Sequence, residues 1–183
     1  CALLQEARAQ HMDIPIGYEK WLLDFVAIAT VTDMVPLVGE NRILERYGLM
    51  VLNKTRRFGL QKLIALARLK LGSLTSSSIS FSLGPRINAA GRMQHASVAL
   101  ELLLAQTESD AERLSREIEA LNRERQRVVS DMLKQAHEQF AICQHEPLII
   151  LYSELWSPAL VGLIAGKFLD ATRVYNVDYW GGD

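Results

Sequence analysis

The sequence lacks several features that would assign it to a protein class at once. Its 183 residues include only two cysteines, Cys1 and Cys143, which are too few for a disulfide framework and are consistent with a reducing compartment. There is no run of 18 apolar residues to span a membrane, and the chain opens without a secretory leader. Its four histidines are scattered, without the spacing of a zinc site. We therefore expect a cytoplasmic protein without membrane association.

What the chain does contain is typical of a folded domain. Apolar residues make up 49% of it, charged residues 22%, and the formal net charge is -1. This composition excludes a disordered or collagen-like protein. The chain begins at Cys1 inside an apolar helical pattern and ends at Asp183 just after a predicted strand. We therefore expect an internal fragment of a longer protein.

The charges are unevenly distributed along the chain. Residues 46–100 contain no acidic residue, whereas residues 1–45 and 101–146 contain more acids than bases. The bases of this acid-free stretch are Arg46, Lys54, Arg56, Arg57, Lys62, Arg68, Lys70, Arg86 and Arg92. Such a stretch is a candidate surface for a polyanion, or alternatively a solvated face that balances acidic neighbours.

Apolar spacing and capping residues predict a mainly helical chain. The predicted helices cover residues 1–11, 41–53, 58–71, 96–105 and 159–169. The serine run 76–78 offers N-caps for the segment 79–83. The short apolar run 148–152 and residues 173–179 predict two strands, which with the helix between them would open a β-α-β unit.

The clearest predicted element is a long helix over residues 108–140. Its apolar residues recur at helical spacing, and neither Gly nor Pro interrupts them. A helix of this length extends about 50 Å at 1.5 Å per residue, which is longer than a small domain is wide. It therefore either links two lobes or forms a coiled-coil arm.

Four segments carry a family resemblance. Residues 25–42 contain Thr-Asp-Met-Val-Pro-Leu and then Glu-Asn-Arg, and residues 82–92 contain Gly-Pro-Arg-Ile-Asn-Ala-Ala-Gly-Arg. Both resemble motifs of the RecJ family, the single-strand-specific 5′→3′ DNA exonucleases of the DHH phosphoesterase superfamily. Residues 119–125 are similar to that family's connecting helix, and residues 156–167 resemble the start of its DHH-associated domain.

The resemblance implies an α/β fold that is mostly helical in this fragment. It implies the C-terminal part of a DHH phosphoesterase domain, a basic helical segment, a long connecting helix and the truncated start of a β-α-β DHH-associated domain. These parts correspond to residues 1–54, 55–106, 107–143 and 147–183.

The resemblance also implies a function and a metal ligand. RecJ proteins hydrolyse single-stranded DNA with two Mn²⁺ or Mg²⁺ ions held by aspartates and histidines. Only the last metal motif lies in this chain, so Asp33 is its one expected metal ligand and catalytic residue. The Asp-His-His motif is absent, and we therefore expect the fragment alone to be inactive. We also expect a monomer. From the residues alone, a turn-forming role of Asp33 before Pro36 is favoured over a role as metal ligand, and the resemblance reverses this order.

Arg86, Asn88 and Arg92 are the predicted DNA-binding residues. A guanidinium binds phosphate through two parallel hydrogen bonds, and an amide adds one more donor. Gly84 and Gly91 would let the backbone turn sharply beside the substrate. The alternative is a helix end whose arginines are simply solvated.

Other functions remain open at this stage. One is a DHH-type phosphodiesterase that hydrolyses short oligonucleotides. Another is a non-catalytic nucleic-acid-binding or scaffold protein that retains the RecJ fold, and a third is a helical coiled-coil adaptor. DNA-repair proteins that bind the parent are not identified by any motif.

Overall fold

The computed structural model describes residues 2–144 and 149–172, with side chains described as far as residue 170 in the last segment. The helices in these ranges are α1 (Ala2–Ala9), α2 (Leu23–Thr32), α3 (Gly39–Leu52), α4 (Phe58–Leu66), α5 (Ser76–Ser78), α6 (Gly84–Met93), α7 (Ser97–Leu104), α8 (Glu108–Cys143) and α9 (Pro158–Thr172). None of these helices is both long and apolar enough to cross a membrane. The mostly helical character is confirmed.

The strand predicted over residues 148–152 is wrong for the part that can be judged. Residues 149–152 have no regular structure, and the described ranges contain no strand. Instead of a neighbouring strand, the Gln139 side chain pairs with the backbone of Tyr152. Gln139 Nε2 donates to the Tyr152 carbonyl at 2.9 Å, and its Oε1 accepts from the Tyr152 N–H at 3.0 Å. Leu148 and the second predicted strand, 173–179, lie outside the described residues.

Helix α4 ends at Leu66 rather than at residue 71 as predicted. Arg68 adopts a left-handed conformation with φ 56°, which reverses the chain. The Arg68 N–H donates to the Ala65 carbonyl at 2.9 Å, and the Leu69 N–H donates to the Ile64 carbonyl at 3.1 Å. This is a Schellman termination in which arginine replaces the usual glycine. Because no glycine marks this helix end in the sequence, the helix was predicted to be too long.

The segment before the basic motif also differs from expectation. Thr75, not the serine run 76–78, caps α5: its hydroxyl accepts from the Ser78 N–H, and the Ser78 hydroxyl accepts from the Thr75 N–H. The chain then passes through a π-helical turn, Ile79–Leu83, directly into α6. The motif therefore belongs to a continuous helical run.

Two hydrophobic clusters form the interior, and α8 contributes to both. The predicted long helix is confirmed, with 36 residues over Glu108–Cys143. The larger cluster joins α2, α3, α4, α6 and α7 to the first half of α8. The smaller one is formed by the second half of α8 and α9 around Val129, Met132, Leu160 and Ile164.

Candidate nucleic-acid interface

The motif at residues 84–92 lies in helix α6, so the sharp turns predicted at Gly84 and Gly91 are wrong. Gly84 is needed for a different reason. A Cβ placed on it would fall well inside 3.0 Å of Thr32 Cγ2 in the last turn of α2. The missing side chain therefore lets α6 begin directly against the end of α2.

Asp33 follows that contact in sequence and is the residue at which α2 ends. Its backbone N–H donates to the Ala29 carbonyl at 2.9 Å, and its side chain is exposed. Because Gly84 packs on the adjacent Thr32, the structure brings the backbone of Asp33 close to the start of the motif helix. Its exposed carboxylate forms no ion pair with a described residue.

Arg86 points from α6 toward α8. Its Nε donates to Glu119 Oε2 at 2.8 Å, and its Nη1 donates to the Ser82 carbonyl at 2.9 Å. The side chain is 18% exposed, so Glu119 holds it in a defined position rather than leaving it solvated. A guanidinium has five N–H donors, and these two bonds leave others available for a phosphate.

Asn88 and Arg92 lie on a different face of the same helix. They are four residues apart, so they are neighbours on α6, and both are exposed. Asn88 is rotated by about 200° from Arg86 around the helix axis. Arg92 Nη1 donates to the Ala159 carbonyl in α9 at 2.6 Å. The structure thus brings together Asn88 and Arg92, but not these two with Arg86.

A third arginine, Arg125 of α8, belongs to this group and was missed by the sequence analysis. Its Nη2 donates to Oδ1 of the buried Asn122 at 3.0 Å, while its Nε is buried without a hydrogen-bond partner. Burial, and then the like charges of Arg92 and Arg86, lower the pKa of the Arg125 guanidinium. Arg92 and Arg86 of α6 therefore each act as a like charge on Arg125 of α8.

Part of the acid-free stretch is neutralised by acids from outside it. Arg57 Nε pairs with the buried Asp24 at 2.9 Å, and Arg57 Cζ lies 4.2 Å from the centre of the Phe25 ring. Lys62 pairs with Glu108 at 2.6 Å. These pairs, with that of Arg86, fit the expectation of a surface that balances acidic neighbours. The other bases of the stretch, which form no ion pair with a described acid, are Arg46, Lys54, Arg56, Arg68, Lys70 and Arg92.

Comparisons with known proteins identify the relatives of this arrangement. The chain is 39% identical over 150 residues to the single-stranded-DNA-specific exonuclease RecJ of Bacillus subtilis and 35% identical over 158 residues to that of Haemophilus influenzae. Each match covers 81% of this chain. The chain matches a segment of RecJ. It spans only 19% and 27% of the length of these two relatives. No protein-family model matches it.

Solved RecJ structures share the fold. A crystal structure of Thermus thermophilus RecJ in complex with Mg²⁺ aligns with a TM-score of 0.76 and 29% identity, covering 90% of this chain and 26% of that one. A RecJ structure bound to manganese aligns with a TM-score of 0.72 and 30% identity, covering 90% of this chain and 41% of the other. The resemblance to RecJ drawn from the sequence motifs is confirmed.

The residues of this RecJ-like segment do not by themselves fit a metal site. In the described ranges no three His, Cys, Asp or Glu side chains are grouped so that they could hold an ion. Asp33 is a single exposed carboxylate, whereas divalent ions such as Mg²⁺ and Mn²⁺ need several oxygen ligands. No catalytic step through a metal follows from these residues alone.

One pattern along α8 indicates that position 125 is unusual. The buried residues of α8 recur every three or four positions, except for a gap of seven between Asn122 and Val129. Residue 125 fills that gap, where an apolar side chain is expected. A charged residue in an otherwise buried stripe is the pattern that marks this position.

Proposed function

We propose that this chain is a segment of a RecJ-type exonuclease that removes nucleotides from the 5′ end of single-stranded DNA during repair or recombination. Its relatives are named as single-stranded-DNA-specific exonucleases. The observation that carries the proposal is the placement of α6. The contact of Gly84 with Thr32 brings the start of the basic motif helix beside Asp33, the expected metal ligand.

The proposed roles follow from the chemistry of the side chains. Arg86, Asn88 and Arg92 donate hydrogen bonds to the phosphates of the strand. Asp33 is a metal ligand in the complete protein, where Mn²⁺ or Mg²⁺ would bind with carboxylates and histidines supplied by other parts of it. Because one carboxylate does not hold two ions, the segment alone is inactive.

We also propose a domain assignment for the chain. Residues 1–54 belong to the catalytic DHH domain, 55–106 to the basic helical segment, 107–143 to the connecting helix and 147–183 to the start of the DHH-associated domain. Helix α8 contributes to both hydrophobic clusters, as a connection between two lobes requires. The segment acts as a monomer on single-stranded DNA in the cytoplasm.

Binding of single-stranded DNA is the direct test. We expect the wild-type chain to bind a fluorescent oligo-dT more tightly than a duplex of the same length, with affinity falling as salt rises. Arg86→Ala should weaken binding by about tenfold, since it removes a charged hydrogen-bond donor to phosphate. Arg56→Ala, which removes an exposed arginine without an ion pair, should change it less than about twofold. Fluorescence anisotropy measures all three.

The choice of control matters for interpreting this result. Arg57 is unsuitable because its removal leaves the buried Asp24 without a partner, which would destabilise the fold. Arg86→Lys serves as a second variant, because it keeps a positive charge beside Glu119 while losing the forked donors. Equal binding by Arg86→Ala, Arg86→Lys and wild type would contradict the proposed role of Arg86.

A second candidate function is a non-catalytic single-strand-binding scaffold. The exposed bases of residues 46–100 that form no ion pair with a described acid support it, because they would bind a strand without a metal. The complete protein distinguishes the two: loss of nucleotides from a 5′ end with Mn²⁺ supports the exonuclease, whereas binding without hydrolysis supports the scaffold. Activity restricted to short oligonucleotides would indicate the phosphodiesterase alternative.

A further inference from the structure

The inner face of α8 changes character where the two hydrophobic clusters meet. Up to Ile118 and Leu121 it packs into the larger cluster, and from Val128 and Val129 onward it packs into the smaller one. Between them the face carries polar groups. Asn122 is 1% exposed, and Arg125 lies one helical turn further on. The gap between the cores is therefore filled by an amide and a guanidinium.

No carboxylate among the described residues pairs with Arg125. Its printed hydrogen bond is to the neutral Asn122, and within the described ranges it forms no ion pair with a carboxylate. The acid of the neighbouring turn, Glu119, already accepts from Arg86 at 2.8 Å and from Arg123 at 3.4 Å. The groups that act on Arg125 across the helix packing are cationic: Arg86 and Arg92.

An apolar residue would suit this position better if packing were its only role. A methionine or leucine at 125 would continue the buried stripe from Ile118 to Met132, and replacing a buried charge by an apolar side chain is often neutral or stabilising. The arginine instead leaves its Nε–H buried and unpaired. A buried donor without a partner is costly, and this one is left available to a ligand from outside the protein.

We propose that Arg125 binds a phosphate oxyanion of the substrate strand at the junction of the two hydrophobic clusters. This inference rests on the proposed function, because it names single-stranded DNA as the source of the phosphate. A rotation of the half-buried side chain presents Nε–H and an Nη N–H to the oxyanion as a fork. The anion also offsets the repulsion among Arg125, Arg92 and Arg86. Arg125 is a substrate-binding residue outside the recognised motif.

The test compares Arg125→Met with Arg113→Met in the full 183-residue chain. Both variants lose one positive charge from α8, but Arg113 is 63% exposed and pairs only with its neighbour Glu117 at 3.9 Å. Binding of 5′-phosphorylated oligo-dT is measured by anisotropy as a function of salt. Melting is measured with and without inorganic phosphate, which probes an oxyanion site independently of DNA.

We expect Arg125→Met to melt close to wild type, because the packing that methionine adds to the apolar stripe offsets the hydrogen bond lost from the buried Asn122 Oδ1. It should bind oligo-dT about tenfold more weakly than wild type. The slope of log affinity against log salt should fall by about 0.7, the loss of one phosphate contact on a single strand. Arg113→Met should match wild type in all of these.

Each further outcome decides between the claims. If Arg125→Met binds oligo-dT as tightly as Arg113→Met, the inference is wrong while the proposed function stands. If wild type fails to bind single strands but phosphate raises its melting temperature and not that of Arg125→Met, the oxyanion site stands and the proposed function fails. If phosphate stabilises both equally and DNA is not bound, both fail. Should Arg125→Met not fold, Arg125→Lys supplies the comparison, and its wild-type binding would overturn the forked contact.

Discussion

The two hydrophobic clusters of this chain differ in how closely their helices pack, and the surroundings of their glycines differ as well. In the larger cluster, helices approach so closely that a side chain would not fit. A Cβ on Gly59 of α4 would fall well inside 3.0 Å of the Leu102 carbonyl oxygen in α7. In α9, which packs in the smaller cluster, Gly162 and Gly166 lie on the exposed side of the helix and have no atom within 4 Å of their Cβ positions.

This difference separates a tightly constrained region from a lightly attached one. The larger cluster gathers residues from six helices, whereas the smaller one depends on the contact of α9 with one face of α8 and with Met93. Polar contacts add to the attachment of the second region. Arg92 reaches the Ala159 carbonyl, and the Trp156 indole N–H donates to Gln135 Oε1 at 2.8 Å. The candidate interface lies where the two regions meet.

The largest expected effect breaks the constrained region. Gly59→Ala forces a methyl group into the Leu102 carbonyl and should destabilise the fold by about 3 kcal/mol or more, measured by urea unfolding. Gly162→Ala is the matched control in α9, where the added methyl has space and a better helix former replaces glycine. It should stabilise by about 0.5–1 kcal/mol. Similar effects of the two variants would contradict the contrast between the regions.

A smaller effect isolates the lightly attached region. Leu160 is fully buried in the smaller cluster. Leu160→Ala should cost about 2 kcal/mol, the low end for a buried leucine, because this cluster has few members. Hydrogen exchange should show faster opening of α9 and the end of α8, with α4 unchanged. Equal acceleration in α4 would mean that the two clusters unfold as one unit.

The smallest expected effect sharpens the comparison at a helix end. Arg68 is exposed and holds a positive φ of 56° that glycine adopts at little cost. Arg68→Gly should therefore stabilise the larger cluster by about 0.5 kcal/mol, as read from the urea midpoint. Lys70→Gly, at an exposed position with no positive φ, is the control and should not stabilise.

Sequence periodicity predicted the helices because a helix that buries one face needs apolar residues at every third or fourth position. The long helix was correct to within a few residues, and so was α7. Helix ends were less predictable, because His11, Met34 and Arg68 end helices in left-handed conformations that usually belong to glycine. The strand predicted at 148–152 is wrong over residues 149–152, because apolar content does not specify a partner strand.

The candidate site was only partly predictable for a similar reason. The motif supplied Arg86, Asn88 and Arg92, but a linear motif does not tell that Arg86 faces α8 while the other two share another face. Arg125 comes from a segment that resembled the family only as a connecting helix. Its role depends on tertiary packing, which places it between two cores. The gap in the apolar stripe was the one local sign.

The central claim is that single-stranded DNA binds where α6 meets α8. Titration of the ¹⁵N-labelled chain with oligo-dT, followed by amide and arginine side-chain NMR signals, tests this most directly. The account predicts saturable shifts concentrated at residues 86–92 and 122–125, with Arg125 Nε–H among the largest. Shifts confined to the exposed bases Lys54 and Arg56, or spread evenly over the surface without saturation, would contradict this claim.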